Sequence, residues 1–408
     1  MIAPAGALPQ TAGRDDAVVR FTLLCLAARR QADPGRVAEL RELAHSGEVD
    51  WEDCQALAET EKLEPLLFAF LAGQGVLPGP VEARWRLAYR RNAARNALVF
   101  HELAHVLRQL AGARVPAILL KGAALALTVY EKPALRPMAD LDLLLHPADV
   151  PDALEALQAE GYAMSLPELG LVNALEYTNE FLLSRPGGAE IPVELHWGLF
   201  NSPFYGHEAL EAWLWEGALP AQPVEGVSLP PRIFRPEAQI LHLCGHLALH
   251  HAGEGLLWLN DIAEVTYHYR EQIDWRILLE QAQAADLVLP LQQVLPRVAE
   301  GWQAPIPAEA LAALGALQPS PVEARVFGGM STGQRSVASE VWSGLAGLGG
   351  TAGRLRYLAA KLLPSAAYMR QRYRIRNAAL LPLYYPYRWL LGVRSALSFM
   401  AKPKNRKG

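Results

Sequence analysis

For its first hundred residues the chain repeats one pattern and then abandons it. Apolar side chains recur at i, i+3 and i+4 in VVRFTLLCLAARR, LEPLLFAFLAG and ARNALVFHELAHVLRQLAG, the period of helices that bury one face. Gly112 ends the last of these runs. VPAILLKG then reads as a short buried strand that turns at Lys121-Gly122, AALALTVYEK as a helix, and MADLDLLLH as a second strand. The amphipathic segment ADVPDALEALQAEGY follows, with Asp149 near its start and Gly161 at its stop. A strand, helix, strand, helix order behind a helical block constrains the fold to an α+β class.

The second strand carries Asp140-Leu141-Asp142. Side chains alternate across a strand, so both carboxylates are expected on one face while Leu141 and Leu143 enter the core. Two carboxylates held that close repel unless a cation neutralises them, and Mg²⁺ accepts such oxygens together with substrate phosphates. A hairpin is expected next, in EFLLSRPGGAEIPVELHWGLF, where Pro186-Gly187-Gly188 turns one run back on another. Within it Val193 and Leu195 face one side, Glu194 and His196 the other. Beside the strand of Asp140 and Asp142, Glu194 completes a three-carboxylate cluster able to hold one or two metal ions for in-line attack on a phosphate.

Composition supports a globular chain. Of 408 residues about half are apolar and a fifth charged, enough for two or three domains with cores of their own. Cys25, Cys54 and Cys244 lie far apart and match no zinc or disulfide framework, which fits a reducing compartment. The first residues lack a basic flank and apolar core, and no run reaches a membrane span, so a cytoplasmic location is expected. The formal charge of −4 hides an asymmetry: residues 354–408 hold 13 Lys and Arg and no acid, leaving −17 on the first 353. Arginines interleaved with Leu, Tyr and Trp suit either a basic helical cap on an acidic body or peripheral contact with an anionic membrane or polymer.

The series LLKGAAL, LRPMADLDLLL, a helix ending in GY, VELHW, and a His-rich helix followed by LWLNDIAEV resembles an uncharacterised bacterial nucleotidyltransferase family with the DNA polymerase β-type fold. The resemblance runs from about residue 50 to 269. It implies a polymerase β-like core with a small mixed sheet, a helical N-terminal region and a helical C-terminal half. The boundaries expected are 1–110, 111–235 for the core, 236–345, and a basic amphipathic tail at 354–408. It implies transfer of a nucleoside monophosphate from a nucleoside triphosphate to an acceptor it does not identify, whether small molecule, peptide or protein. Asp140, Asp142 and Glu194 would be catalytic and hold Mg²⁺, or Mn²⁺ in its place. Lys121, Gly122 and Arg136 would meet the triphosphate, where the superfamily's usual Gly-Ser is Lys-Gly.

His242, His246 and His250 share one helical face, with Asp261 a few turns on. Imidazoles at that spacing suit a transition metal, but no H-E-x-x-H is present, and packing against the acidic core at the edge of the nucleotide pocket is the plainer reading. His196, His246 and Asp261 are the candidates for the substrate pocket. Trp197, Trp213, Trp215 and Trp258 are assigned to packing, with base stacking as the functional option. Two other functions compete: a catalytically idle nucleotide-binding or scaffold protein, and a D-x-D glycosyltransferase, which the helical N-terminal region disfavours for want of a nucleotide-binding sheet. No P-loop, G-x-G-x-x-G or G-x-S-x-G motif is present.

Overall fold

The structure is a computed structural model that describes residues 16–401 apart from 32–33, 189, 207, 331–336 and 349. The expectation about the extreme N-terminus lies outside the described residues. Helices Asp16–Gln31, Pro34–His45, Trp51–Thr60, Glu64–Leu71 and Gly79–Gly112 form the N-terminal block. The last spans 34 residues, about 50 Å at the α-helical rise. Its early residues Val81 and Trp85 belong to the core shared with the N-terminal helices, whereas Val99, Leu103, Val106, Leu107 and Leu110 pack under the sheet. One long helix thus joins two apolar cores.

The sheet has seven strands: β1 Ile118–Leu119, β2 Leu141–Leu144, β3 Ala163–Met164, β4 Glu180–Ser184, β5 Val193–His196, β6 Leu219–Pro220 and β7 Arg232–Ile233. Their spatial order is β3-β4-β5-β2-β1-β7-β6. Pairs β2/β5 and β1/β7 are parallel and the others antiparallel, so the sheet is small and mixed. The fold is α+β, as the periodicity requires. β2 is buried along its whole length, consistent with its central place in the order.

Three local expectations are corrected. The second strand is Leu141–Leu144, not the whole of MADLDLLLH, so Asp140 stands just before it. Four strands of two residues, β1, β3, β6 and β7, are too short for alternation to register, and the last three were not anticipated. The Gly- and Ser-rich stretch at 344–353 is largely helical, within Val337–Gly347 and Gly350–Leu362. Two of its glycines serve close packing: a Cβ at Gly344 would fall on Tyr357, and one at Gly347 on the backbone of Phe204.

C-terminal to the sheet, helices Pro236–His250, Leu256–His268 and Val288–Gly301 pack mutually and share the first core. Helix Gly350–Leu362, helix Ala366–Arg372 and the long helix Leu381–Ala401 form the basic tail. Among the described residues no helix is long and apolar enough to cross a membrane. All three cysteines are free and buried.

Candidate active site

Strand register determines where the acids meet. β2 and β5 run parallel with Asp142 opposite Glu194 and Leu144 opposite His196. Asp142, Glu194 and His196 therefore project from one face of two adjacent strands. The hairpin expected around Pro186 is present and antiparallel, and it places Glu180 of β4 directly across from His196. Lys121 reaches the same point from the turn after β1, with φ of +45°, a conformation that non-glycine residues adopt only when their surroundings hold them there.

The contacts form a compact ionic network. Lys121 Nζ donates to Asp142 Oδ1 at 2.6 Å and lies 3.9 Å from Glu194 Oε2. His196 Nε2 is 3.0 Å from Asp142 Oδ1 and 3.4 Å from Glu194 Oε2, while Nδ1 is 3.2 Å from Glu180 Oε2. Burial disfavours charge on His196, but its hydrogen bonds to Asp142 and Glu194 prevail and push its pKa up to about 9. Burial likewise works against ionised Asp142, yet Lys121 and His196 hold its carboxyl well below the usual range. Asp140 behaves oppositely: burial and then the charge of Asp142 raise its pKa.

A cavity of about 390 Å³ opens over this network. The nine residues assigned from the sequence to the catalytic, triphosphate and substrate positions line it: Lys121, Gly122, Arg136, Asp140, Asp142, Glu194, His196, His246 and Asp261. Their roles differ, however. Arg136 was expected to face pyrophosphate, but its guanidinium is buried and bound to Asp261, with Nε at 2.7 and 3.0 Å and Nη2 at 2.6 Å. Its Nη1 donates to the Pro137 carbonyl. Asp261 is fully buried and also accepts from Tyr130 Oη at 2.7 Å, so it holds Arg136 instead of presenting a carboxylate to a substrate. The pair anchors the segment that delivers Asp140.

That segment is tied down from its other side by the long helix. Asn96 Nδ2 donates to the carbonyls of Pro133 at 2.6 Å and Arg136 at 2.8 Å, Asn92 Nδ2 to Ala134 at 2.6 Å, and Arg95 Nη2 to Ala139 at 3.0 Å. Gly122 completes the clamp, because a Cβ there would stand 3.0 Å from Met138 Cγ. Gly122 also lies in the first turn of helix Lys121–Thr128, whose N-cap Leu120 offers no side-chain acceptor. The leading N–H groups of that helix are left for another partner.

The histidine helix forms the opposite wall. His246, His250 and His251 line the cavity; His246 stacks on His250 at a centroid distance of 4.9 Å, and its Nε2 is 3.1 Å from that of His251. Burial, and then the charge of Lys121, push the His246 pKa well down, so its ring is neutral. His242 is buried deeper, outside the cavity lining, and is likewise pushed down. Trp258 stacks on His251 at 3.6 Å and lines the cavity, whereas Trp197 is buried with Nε1 bonded to Leu175 O, and Trp215 stacks on His146. Glu180 and His251 were not named as site residues, and Trp258 was assigned to packing with base stacking as the option. Counting the antiparallel register back from the Pro186 turn would have found Glu180; the other two follow only from helix packing.

Asp142 Oδ, Glu194 Oε and His196 Nε2 offer ligand atoms within 4.8 Å of one another, a set able to hold a metal ion. Residues 47–302, well over half of the chain, match the profile of the uncharacterised nucleotidyltransferase family. The chain belongs to that family. The stretch that this nucleotidyltransferase family accounts for contains every residue of the cavity and ends before the basic tail. A solved structure described as an antigenic nucleotidyltransferase-like protein from Paracoccidioides brasiliensis is similar at a TM-score of 0.35 and 17% identity, over 53% of this chain and 96% of that one. No curated protein matches the chain.

Proposed function

We propose that this nucleotidyltransferase-family chain transfers a nucleoside monophosphate from a nucleoside triphosphate to an acceptor nucleophile in a divalent-metal-dependent reaction. The observation that carries the reading is the register of β2 against β5, which sets Asp142 beside Glu194 on the floor of a cavity whose rim is a helix N-terminus. The donor set fits a divalent cation: two carboxylates satisfy Mg²⁺, and the imidazole of His196 widens the choice to Mn²⁺. Asp142, Glu194 and, on giving up its imidazolium proton, His196 would hold the ion, with Asp140 contributing from the edge of β2. A bound cation supplies charge neutralisation on the phosphates and lowers the pKa of an acceptor hydroxyl.

The chain's own groups divide the remaining work. The N–H groups of Gly122 and Ala123 in the first helical turn orient phosphate oxygens, and Gly122 gives them close approach. The Lys121 ammonium swings from Asp142 toward the triphosphate, neutralising charge on the leaving group. Neutral His246 and the face of Trp258 on the far wall position the acceptor or the base. The Arg136–Asp261 pair keeps the 136–142 segment fixed while these groups move.

A second reading has its own support. Lys121 and His196 already neutralise Asp142 internally, which suits an idle nucleotide-binding protein that no longer recruits a metal. Calorimetric titration of each nucleoside triphosphate with Mg²⁺, Mn²⁺ or chelator, into wild type and Asp142→Ala/Glu194→Ala protein, separates the two. Cation-dependent binding abolished in the variant supports the transferase; binding indifferent to cation and variant supports the idle protein. No binding to folded wild type removes both.

A further inference from the structure

We infer that the C-terminal helix Leu381–Ala401 is a docking surface for an anionic lipid bilayer, a role independent of the proposed chemistry. An ordinary amphipathic helix turns its apolar stripe to the core. This one does the reverse. Tyr385, Arg388 and Trp389, at i, i+3 and i+4, pin one face to the protein: Tyr385 Oη donates to Pro364 O at 2.9 Å, Trp389 Nε1 to Leu362 O at 2.7 Å, and Arg388 pairs with Glu168. Leu383, Tyr387, Leu390 and Leu391, at i, i+4, i+7 and i+8, occupy the opposite face and are exposed, Leu383 by 67% and Leu390 by 69%. Polar contacts bind the helix inward, and its apolar stripe points out.

Charge complementarity selects the occupant. Immediately before the helix, Arg370, Arg372, Arg374 and Arg376 are all exposed, and among the described residues none of them forms an ion pair. No acid occurs from residue 354 onward, so nothing in the tail's own sequence offsets them. Tyr373, Tyr384 and Tyr387 cluster at the junction, with ring centroids 5.6 to 6.2 Å apart, and amphipathic rings favour the headgroup layer. A nucleic acid would use the arginines but leave the leucine stripe in water. An anionic bilayer takes both at once: headgroups meet the guanidinium groups and the acyl boundary receives Leu383 and Leu390. The tail lies outside residues 47–302, which match the family.

The test uses the full-length protein in sedimentation with vesicles of phosphatidylcholine alone or of phosphatidylcholine mixed equally with phosphatidylglycerol. Expected is binding to the anionic vesicles only, weakened by salt. Leu383→Ser/Leu390→Ser should reduce it by at least about tenfold, and each Arg→Ala change among the four arginines by about fivefold. The altered side chains are exposed, so circular dichroism and triphosphate binding should be unchanged. Failure of wild type to pellet with anionic vesicles overturns the inference. So does equal binding to neutral vesicles. Arginine-dependent binding to a DNA oligonucleotide with no vesicle binding would assign the surface to nucleic acid. A dimer in light scattering that Leu383→Ser/Leu390→Ser dissociates, again without vesicle binding, would assign it to a second copy of the chain.

Discussion

Lys121 is the residue whose replacement tests most of the site at once. Its ammonium is 2.6 Å from Asp142 Oδ1 and 3.9 Å from Glu194 Oε2, in a setting where Asp142 is only 3% exposed. At an effective dielectric constant of about 20, the nearer contact alone represents roughly 6 kcal/mol of Coulomb energy before desolvation. Lysine regains hydration when the contact is lost, and His196 remains 3.0 Å from the same oxygen as a second cation. What survives is about 3 kcal/mol, the lower edge of the range for breaking one side of a buried pair. Lys121→Met keeps the aliphatic stem and removes the charge, so the cation-free protein should lose about that much stability, read as a lower urea midpoint in chelator. In the wild type a divalent cation must displace the ammonium, whereas in the variant it finds the carboxylates paired with His196 alone. The same 3 kcal/mol should therefore reappear as Mn²⁺ affinity increased up to about a hundredfold by calorimetry, while triphosphate binding in the presence of the cation weakens. Unchanged Mn²⁺ affinity together with lost stability would show that Lys121 stays on Asp142 when the ion binds, and would refute the displacement argument.

Three further outcomes follow from contacts away from the metal-binding set. Asp261→Ala leaves the buried Arg136 guanidinium without its carboxylate and should destabilise the protein by about 3–5 kcal/mol in urea unfolding; a loss under 1 kcal/mol would mean that water or Tyr130 replaces the carboxylate. Gly245→Ala would set a methyl against the Phe200 ring beside the histidine helix, destabilising the protein by about 1–3 kcal/mol, read as a lower urea midpoint. Glu323 is fully buried, accepts from Leu289 N at 2.6 Å, and has its pKa pushed up by burial to about 7. Between 4.5 and 7 the folded protein then binds more protons than the unfolded chain, so stability falls as pH rises through that window. Glu323→Gln keeps the acceptor and removes the charge, and should stabilise by about 3 kcal/mol at pH near 8 with little effect near pH 4.5, read as paired urea midpoints.

The parts of the fold legible in the sequence are those with enough residues to show a period. Helix Gly79–Gly112 and the β4–β5 hairpin fall where apolar spacing and the Pro186-Gly187-Gly188 turn place them. β7 escapes such reasoning, because it is two residues long and its parallel pairing with β1 spans more than a hundred positions of chain. Asp140 shows the limit of a motif: D-x-D suggests two carboxylates on one strand face, yet β2 begins only at Leu141 and Asp142 alone is fixed by pairing. Arg136 shows another limit. Its position beside the acids suggested a phosphate contact, but a buried partner 125 residues away claims the guanidinium, and nothing local in the sequence marks Asp261 as that partner.

The reason these distant residues matter is mechanical as much as electrostatic. Asp142 and Glu194 are placed by strand register, which a one-residue slip would turn to the other face of the sheet. Asp140 has no such guarantee, since it sits in the loop before β2. Its position depends on Asn92, Arg95 and Asn96 gripping the carbonyls of residues 133–139 from one side and on Arg136 locked to Asp261 from the other. Those two anchors belong to different parts of the chain, the N-terminal block and helix Leu256–His268. A scaffold that surrounds a two-strand acidic site with helices on both sides thereby does more than bury apolar surface: it supplies the fixed points that keep a loop-borne carboxylate in register with two strand-borne ones.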